Sequence, residues 1–127
     1  MRHNRLFRPR RFRPTTLRRL FRDVTPTARA CGFSFGLRIH PSLLEYGLPG
    51  MSQDTEGRML IEYLAQRIEA ALEVFGQDQV VSHGKTISLL FGLTLEHRRK
   101  STPQIVRVHV LFGPCDELQT AYATKLR

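Results

Sequence analysis

The sequence predicts an α+β fold, with a short N-terminal helix and one long helix packed on a small antiparallel sheet of three to four strands. One observation is that apolar residues recur at helical spacing between residues 52 and 76, and another is that they alternate on both sides of residues 97–103. The third is size, since 127 residues with 41% apolar side chains can bury one core. We therefore expect a basic flexible tail over residues 1–14 and a single domain over residues 15–127.

The N-terminal part of the chain carries the weakest pattern. Residues 1–14 combine arginine with two prolines. This segment is too polar, and too often interrupted by proline, to form a packed structure by itself. We expect a short helix that Thr15 or Thr16 can cap, with Leu17, Leu20 and Phe21 on its apolar face. Residues 33–39 alternate like a strand, although glycine interrupts them, and residues 43–50 are expected to form a compact apolar loop.

The long helix is the element with the strongest pattern. Ser52 or Asp54 can cap its N-terminus, and Gly76 can end it in a left-handed conformation. The residues of its apolar stripe are Leu60, Leu64, Ile68, Ala71, Leu72 and Phe75. Because a helix with one apolar stripe must bury it against another element, we expect this stripe to cover one face of the sheet.

The sheet is predicted from two strands that form a hairpin. The alternating apolar residues of the first strand are Ile87, Leu89, Phe91, Leu93 and Leu95. Those of the second strand are Val106, Val108, Val110 and Phe112. The basic turn at residues 97–103 joins the two strands. Residues 79–82 and 118–122 are weaker candidates for further strands.

The net charge of +9 lies entirely in the N-terminal segment. Residues 1–22 contain nine arginines and no acidic residue, whereas residues 23–127 contain 11 basic and 11 acidic residues. Arginines interleaved with phenylalanine can bind phosphates and bases, dock on an acidic protein surface, or form a mitochondrial presequence. The candidate residues for docking through the tail are Arg8, Arg10, Arg11 and Arg13.

No constellation of residues predicts an enzyme, a metal site or a cofactor site. Glu69 and Glu73 share a helix face, but glutamates opposite an apolar stripe are typical of a solvated surface rather than of a glycosidase pair. The five histidines lack ligand spacing, and Cys31 and Cys115 indicate neither a disulfide framework nor a zinc cluster. No apolar stretch approaches the roughly 20 residues that cross a bilayer, so we expect no transmembrane segment. The two cysteines without a partner motif favour a reducing, cytoplasmic compartment.

Four segments of the chain resemble one protein family. They are Thr16–Leu20, Glu45–Pro49, Ile68–Phe75 and Leu118–Leu126. The second segment contains a tyrosine-glycine-leucine-proline motif ahead of the long helix. The order of the segments and elements along the chain is similar to that of the TssE family. These are wedge proteins of the type VI secretion baseplate, related to a so-called lysozyme-like wedge protein of contractile-tailed phages. The chain departs from the family at Gly50, where an acidic residue is usual, and at Gly76-Gln77-Asp78, where glutamate-proline-arginine is usual.

The resemblance implies a structural protein that docks on other baseplate wedge subunits and initiates polymerisation of the contractile sheath protein by β-strand pairing. It also implies a cytoplasmic position at a membrane-anchored baseplate. The resemblance and the strand pattern together predict the residues for partner binding, which are Tyr46, Gly47, Leu48, Pro49, Gln77, Asp78, Arg107, His109 and Tyr122. His109 lies on the more polar side of its strand, so we expect a surface or partner-facing histidine. An edge of the C-terminal sheet would supply free main-chain groups for the pairing.

An alternative is an RNA-binding protein of a ribosome-like particle, which would contact nucleic acid through the arginine-rich tail. A carbohydrate hydrolase ranks below both. Binding that weakens steeply with added salt would favour nucleic acid, because counterions are released when phosphates are neutralised. Co-purification with baseplate subunits would favour the wedge protein.

Overall fold

A computed structural model of the chain describes residues 20–51, 54, 56–75, 86–100, 102–115 and 118–126. The elements of this described part are, in chain order, β1 (Arg22–Asp23), α1 (Thr25–Ala30), β2 (Gly36–Ile39), α2 (Pro41–Leu44), β3 (Tyr46–Gly47), α3 (Arg58–Phe75), β4 (Ile87–His97), β5 (Pro103–Cys115) and β6 (Leu118–Lys125). The predicted tail, the start of the predicted short N-terminal helix and the predicted strand at residues 79–82 lie outside the described residues.

The strands of the described chain form one curled sheet in the order β1-β2-β6-β5-β4-β3. β2 and β6 are parallel, and every other neighbouring pair is antiparallel. The predicted hairpin is confirmed as β4 and β5, which pair from Ile87 opposite Phe112 to Glu96 opposite Pro103. The predicted strand after it is confirmed as β6. The sheet is therefore mixed, with β1 and β3 as its outermost strands.

This architecture shows that the predicted fold class was wrong. The described part of the chain is rich in sheet, with 43% strand and 32% helix, and it does not place one long helix on a small antiparallel sheet of three to four strands. The strands that were missed, β1 and β3, have two residues each, whereas β2, with four residues, lies within the strand-like alternation predicted for residues 33–39. A period of two cannot be recognised over two residues. The parallel partner of β2 also lies far along the chain, with Gly36 opposite Thr120.

The helices α1 and α2 were not predicted, because each buries a single side chain and so has no periodic stripe. α1 begins after Asp23, whose Oδ1 accepts a hydrogen bond from the Thr25 N–H at 3.0 Å. α2 begins after His40, whose Nδ1 accepts a hydrogen bond from the Ser42 N–H at 3.1 Å. A proline in the first turn of each helix removes an N–H that would have no partner within the helix.

The predicted helix is confirmed as α3, although it begins at Arg58 rather than directly after Ser52 or Asp54. The Asp54 carboxylate accepts a hydrogen bond from the Met59 N–H at 3.1 Å and therefore caps the first turn, as predicted. Gly57 precedes the helix with a φ of 72°, a conformation that favours glycine. The buried residues of α3 are Leu60, Ile61, Leu64, Ala65, Ile68 and Leu72.

The core lies between α3 and the inner face of the sheet. The large strand side chains that are fully buried there are Leu37, Ile39, Leu93, Leu95, Val108, Val110 and Phe112. Ile87 and Phe91 are half-buried and pack against the same cluster. The predicted packing of the helix stripe on the hairpin is confirmed for the described side chains, which do not include that of Phe75.

Candidate strand-docking site

Over most of its length, β4 is paired along one side only. On one side, β5 pairs with β4 from Ile87 to Glu96. On the other side, β3 pairs with His97 and Glu96 alone. No other strand of the described chain pairs with residues 87–95 on that side. We call this stretch the β4 edge.

The pairing pattern determines which main-chain groups of the β4 edge are open. The Arg98 N–H donates to the Glu45 carbonyl at 3.0 Å, so the even-numbered residues of β4 direct their N–H and C=O groups to the β3 side. The residues that do so within the β4 edge are Ser88, Leu90, Gly92 and Thr94. All four residues are exposed, because they alternate with the residues that face the core. The edge therefore offers one donor and one acceptor at every second residue.

β3 ends after two residues because a type II turn follows it. The Met51 N–H donates to the Leu48 carbonyl at 3.0 Å, Pro49 takes the second position, and Gly50 has a φ of 77°. Continuing the register of β3 would place Pro49 opposite Thr94 at a hydrogen-bonded position, where proline has no N–H to donate. The turn therefore prevents β3 from pairing with Thr94 and the residues before it.

β3 itself is held firmly against the end of β4. The Arg98 side chain donates to the carbonyls of Leu44 and Asp54, at 3.1 and 3.2 Å. The Tyr46 ring packs edge-on to the His97 ring, with 5.1 Å between their centroids. Of the four motif residues, Tyr46 and Gly47 are buried in β3, Leu48 is half-buried against the core, and Pro49 is exposed.

The β4 edge lacks the residues that normally protect an edge strand. Residues 87–95 contain no charged residue and no proline. Edge strands in natural proteins usually carry lysine, proline or a bulge, because their free N–H and C=O groups otherwise recruit other chains. The first charged residue along the strand is Glu96, where β3 already covers it. The part of β4 that can accept another strand is thus the uncharged part.

A groove lies beside the β4 edge, between it and the C-terminal half of α3. It has a volume of ≈330 Å³ and is lined by Arg67, Ala70, Ala71 and Val74 of α3 and by Ser88–Phe91 of β4. Val74 and Leu90 are apolar side chains that are 86% and 57% exposed. The guanidinium carbon of Arg67 lies 5.6 Å from the centre of the Phe91 ring. A strand added to the β4 edge would therefore have α3 as its second contact.

Two other predicted partner-binding residues lie on interior strands. Arg107 of β5 is exposed, and its carbonyl accepts a hydrogen bond from the Leu126 N–H at 2.8 Å. Tyr122 of β6 is 6% exposed, and its ring packs edge-on to Phe21 at 5.6 Å between centroids. β6 pairs with β5 on one side and with β2 on the other, so the main chain at Tyr122 is already paired.

His109 is not the surface histidine that its strand pattern predicts. It is 7% exposed, because β5 is interior and the cross-strand neighbours Leu90 and Thr124 flank it. Its Nε2 is hydrogen-bonded to the Ser88 hydroxyl. Burial lowers the pKa of His109 below its ordinary value of 6.5, so the imidazole is neutral at pH 7.

The other predicted site residues lie outside the described part of the chain. They are Gln77, Asp78, Arg8, Arg10, Arg11 and Arg13. Within the described ranges, no three potential metal ligands cluster, and no helix has the length and apolarity that a membrane span requires. No protein-family model, no curated protein and no solved structure matches the chain.

Two features of this site were visible in the sequence but were not singled out. One is the absence of charge over residues 87–95 in a chain with 24% charged residues. The other is Arg67, which has no acidic residue three or four positions away on its helix. Both features gain meaning only when the structure places them at one edge of the sheet.

Proposed function

We propose that this protein is a structural subunit of the baseplate of a contractile injection machine of the type VI secretion class. It accepts a strand from the first sheath subunits at the β4 edge and so initiates polymerisation of the sheath. The observation that carries the proposal is the uncharged β4 edge beside the α3 groove, which no other strand of the described residues covers. The class of machine is inferred from the resemblance to the wedge family, whose Tyr46–Pro49 motif forms β3 and begins the turn after it.

Strand addition at this edge requires no special side chain on the partner. The open side of the β4 edge has four N–H donors and four C=O acceptors, which belong to Ser88, Leu90, Gly92 and Thr94. A partner strand along residues 87–95 would extend for about 30 Å. Alternate side chains of that strand would pack against α3, and they would fix the register because a slip by one residue moves every side chain to the other face. Affinity thus comes from the main chain and register from the side chains.

The remaining surface would dock the protein on neighbouring wedge subunits. The tail residues Arg8, Arg10, Arg11 and Arg13 are proposed to contact an acidic surface of such a subunit, because they belong to the segment that holds the whole net charge. This role places the protein in the cytoplasm at a membrane-anchored baseplate. It requires no catalytic group and no cofactor.

The proposal is tested by two substitutions at one position. Leu90→Pro removes an N–H that points to the open side of the β4 edge, whereas Leu90→Ala removes the same side chain and keeps the N–H. Purified variants that retain the wild-type circular dichroism spectrum are mixed with sheath subunits from the same organism, and polymers are quantified by sedimentation. We expect Leu90→Pro to abolish nucleation and Leu90→Ala to retain it, with Ser88→Pro as a second variant of the same design. Nucleation by a folded Leu90→Pro variant at the Leu90→Ala level would refute pairing at the β4 edge.

The RNA-binding alternative depends on the tail and not on the β4 edge. Deleting residues 1–14 is expected to weaken association with baseplate subunits and to leave the Tm nearly unchanged, because the periodic patterns lie in the remaining chain. An RNA-binding protein would instead lose a steeply salt-dependent affinity for RNA on this deletion and would be unaffected by Leu90→Pro.

A further inference from the structure

We propose that Arg67 selects the strand that occupies the β4 edge by favouring an acidic side chain that points into the groove. The partner is an extended segment with an aspartate or glutamate facing Arg67 and an apolar side chain two positions away facing Ala71. This inference rests on the proposed strand addition and names the chemistry of the strand that it accepts.

The charge of Arg67 is not balanced by its own helix. The residues three and four positions away are Tyr63, Leu64, Ala70 and Ala71. Such positions are where an acidic partner would lie on a helix surface. Within the described part of the chain, the Arg38 guanidinium pairs with Asp23, the His97 ring lies 3.4 Å from the Glu45 carboxylate, and no carboxylate pairs with Arg67. The groove therefore carries one positive charge that an incoming strand can neutralise.

The surroundings of Arg67 favour a directed contact rather than a diffuse one. Its guanidinium lies over the face of Phe91, on the strand to which the partner would pair. A guanidinium within about 6 Å of a ring centre is attracted by the face of the ring, and its own donors lie in one plane. The rest of the helix wall consists of Ala70, Ala71 and Val74, which suit apolar side chains. The groove is thus charged at Arg67 and apolar along the remainder of α3.

The spacing of α3 matches alternate residues of a strand. Arg67 and Ala71 are separated by about 6 Å along the helix axis. Side chains on one face of a strand are separated by about 6.7 Å. The groove is lined by Arg67–Val74 of the helix, about 10.5 Å, and by Ser88–Phe91 of the strand, about 10 Å, so the two elements contribute similar lengths to it. One side chain of the partner can therefore reach Arg67 while the next on the same face reaches Ala71.

The experiment uses the full chain and soluble nine-residue peptides of alternating threonine and valine, with aspartate, asparagine or lysine at the central inward position. Affinities are measured from amide chemical shifts, and hydrogen exchange at Ser88, Leu90 and Thr94 locates the bound peptide. We expect the aspartate peptide to bind about three- to fivefold more tightly than the asparagine peptide, and the lysine peptide to bind most weakly. Arg67→Glu should reverse this order. Arg58→Glu, an exposed arginine at the start of the same helix, should leave it unchanged.

The outcomes separate this inference from the function on which it rests. Equal binding of the three peptides with protection of Ser88 and Leu90 would retain strand addition and overturn selection by Arg67. Absence of protection with every peptide would overturn the strand addition itself. Protection of the same amides by dimerisation, without peptide, would assign the β4 edge to a second copy of the chain and overturn both.

Discussion

Ile68 holds the middle of α3 against the sheet, and the position of the groove depends on that packing. Its side chain is fully buried, with 0% exposure. Ile68→Ala removes three carbon atoms, which at about 0.8 kcal/mol for each buried methylene corresponds to about 2.4 kcal/mol. The cavity left behind adds about 1 kcal/mol, because the surrounding side chains relax only in part. We therefore expect the free energy of unfolding to fall by about 3 to 4 kcal/mol.

Urea denaturation monitored by circular dichroism measures this change. Glu69→Ala is the matched control, since Glu69 is the next residue of the same helix and is exposed. We expect the control to change the free energy of unfolding by less than about 0.5 kcal/mol. A loss below about 1 kcal/mol for Ile68→Ala, with an unchanged denaturant slope, would refute the packing of α3 on the sheet.

Two further predictions concern the sheet. A methyl group added at Gly113 would lie 2.6 Å from the Thr86 hydroxyl and 3.1 Å from its Cα, so Gly113→Ala should lower stability by about 1 to 3 kcal/mol in urea denaturation. Gly92→Ala should change stability little. The added methyl group would lie 3.2 Å from the Ile105 side chain, which is 75% exposed and can turn away. Burial lowers the pKa of His109 in the folded protein, so between that lowered pKa and 6.5 the unfolded chain binds more protons than the folded chain. The free energy of unfolding should therefore fall as the pH decreases through this range. Urea melts from about pH 7 to about pH 5 should show a weaker pH dependence in His109→Gln than in the wild type, and equal slopes would contradict this.

The elements that could be predicted are those that carry a period over many residues. The buried residues of α3 recur at helical spacing from Leu60 to Leu72, and apolar residues alternate along β4 from Ile87 to Leu95 and along β5 from Val106 to Phe112. β1 and β3 have two residues each, and their strand conformation depends on partners elsewhere in the chain. Tyr46, for example, pairs with His97 across the whole of α3. Tertiary context decides strands of this kind, so the sequence could not reveal six strands or the parallel pairing.

The candidate site was partly predictable for the same reason. Alternation along β4 shows that Leu90 and its even-numbered neighbours face outward, but it does not show that β3 stops short of them. The polarity of the strand face placed His109 at the surface, whereas neighbours on both sides bury it. Arg67 lies on a helix that was predicted, yet its relation to Phe91 arises only from the packing of that helix on the sheet.

Pro49 links the family motif to the open edge. A residue with an N–H at this position could pair with Thr94, extend β3 along β4 and satisfy the main chain that is now uncovered. The chain instead has proline there and glycine next, with Gly50 at a φ of 77° in the turn that carries the backbone away. A lysine at Leu90 would also protect the edge, and none is present. An edge that carries no protecting residue and that no described strand covers favours aggregation in a free protein, so the arrangement is consistent with a protein whose β4 edge pairs with another strand in its assembled state.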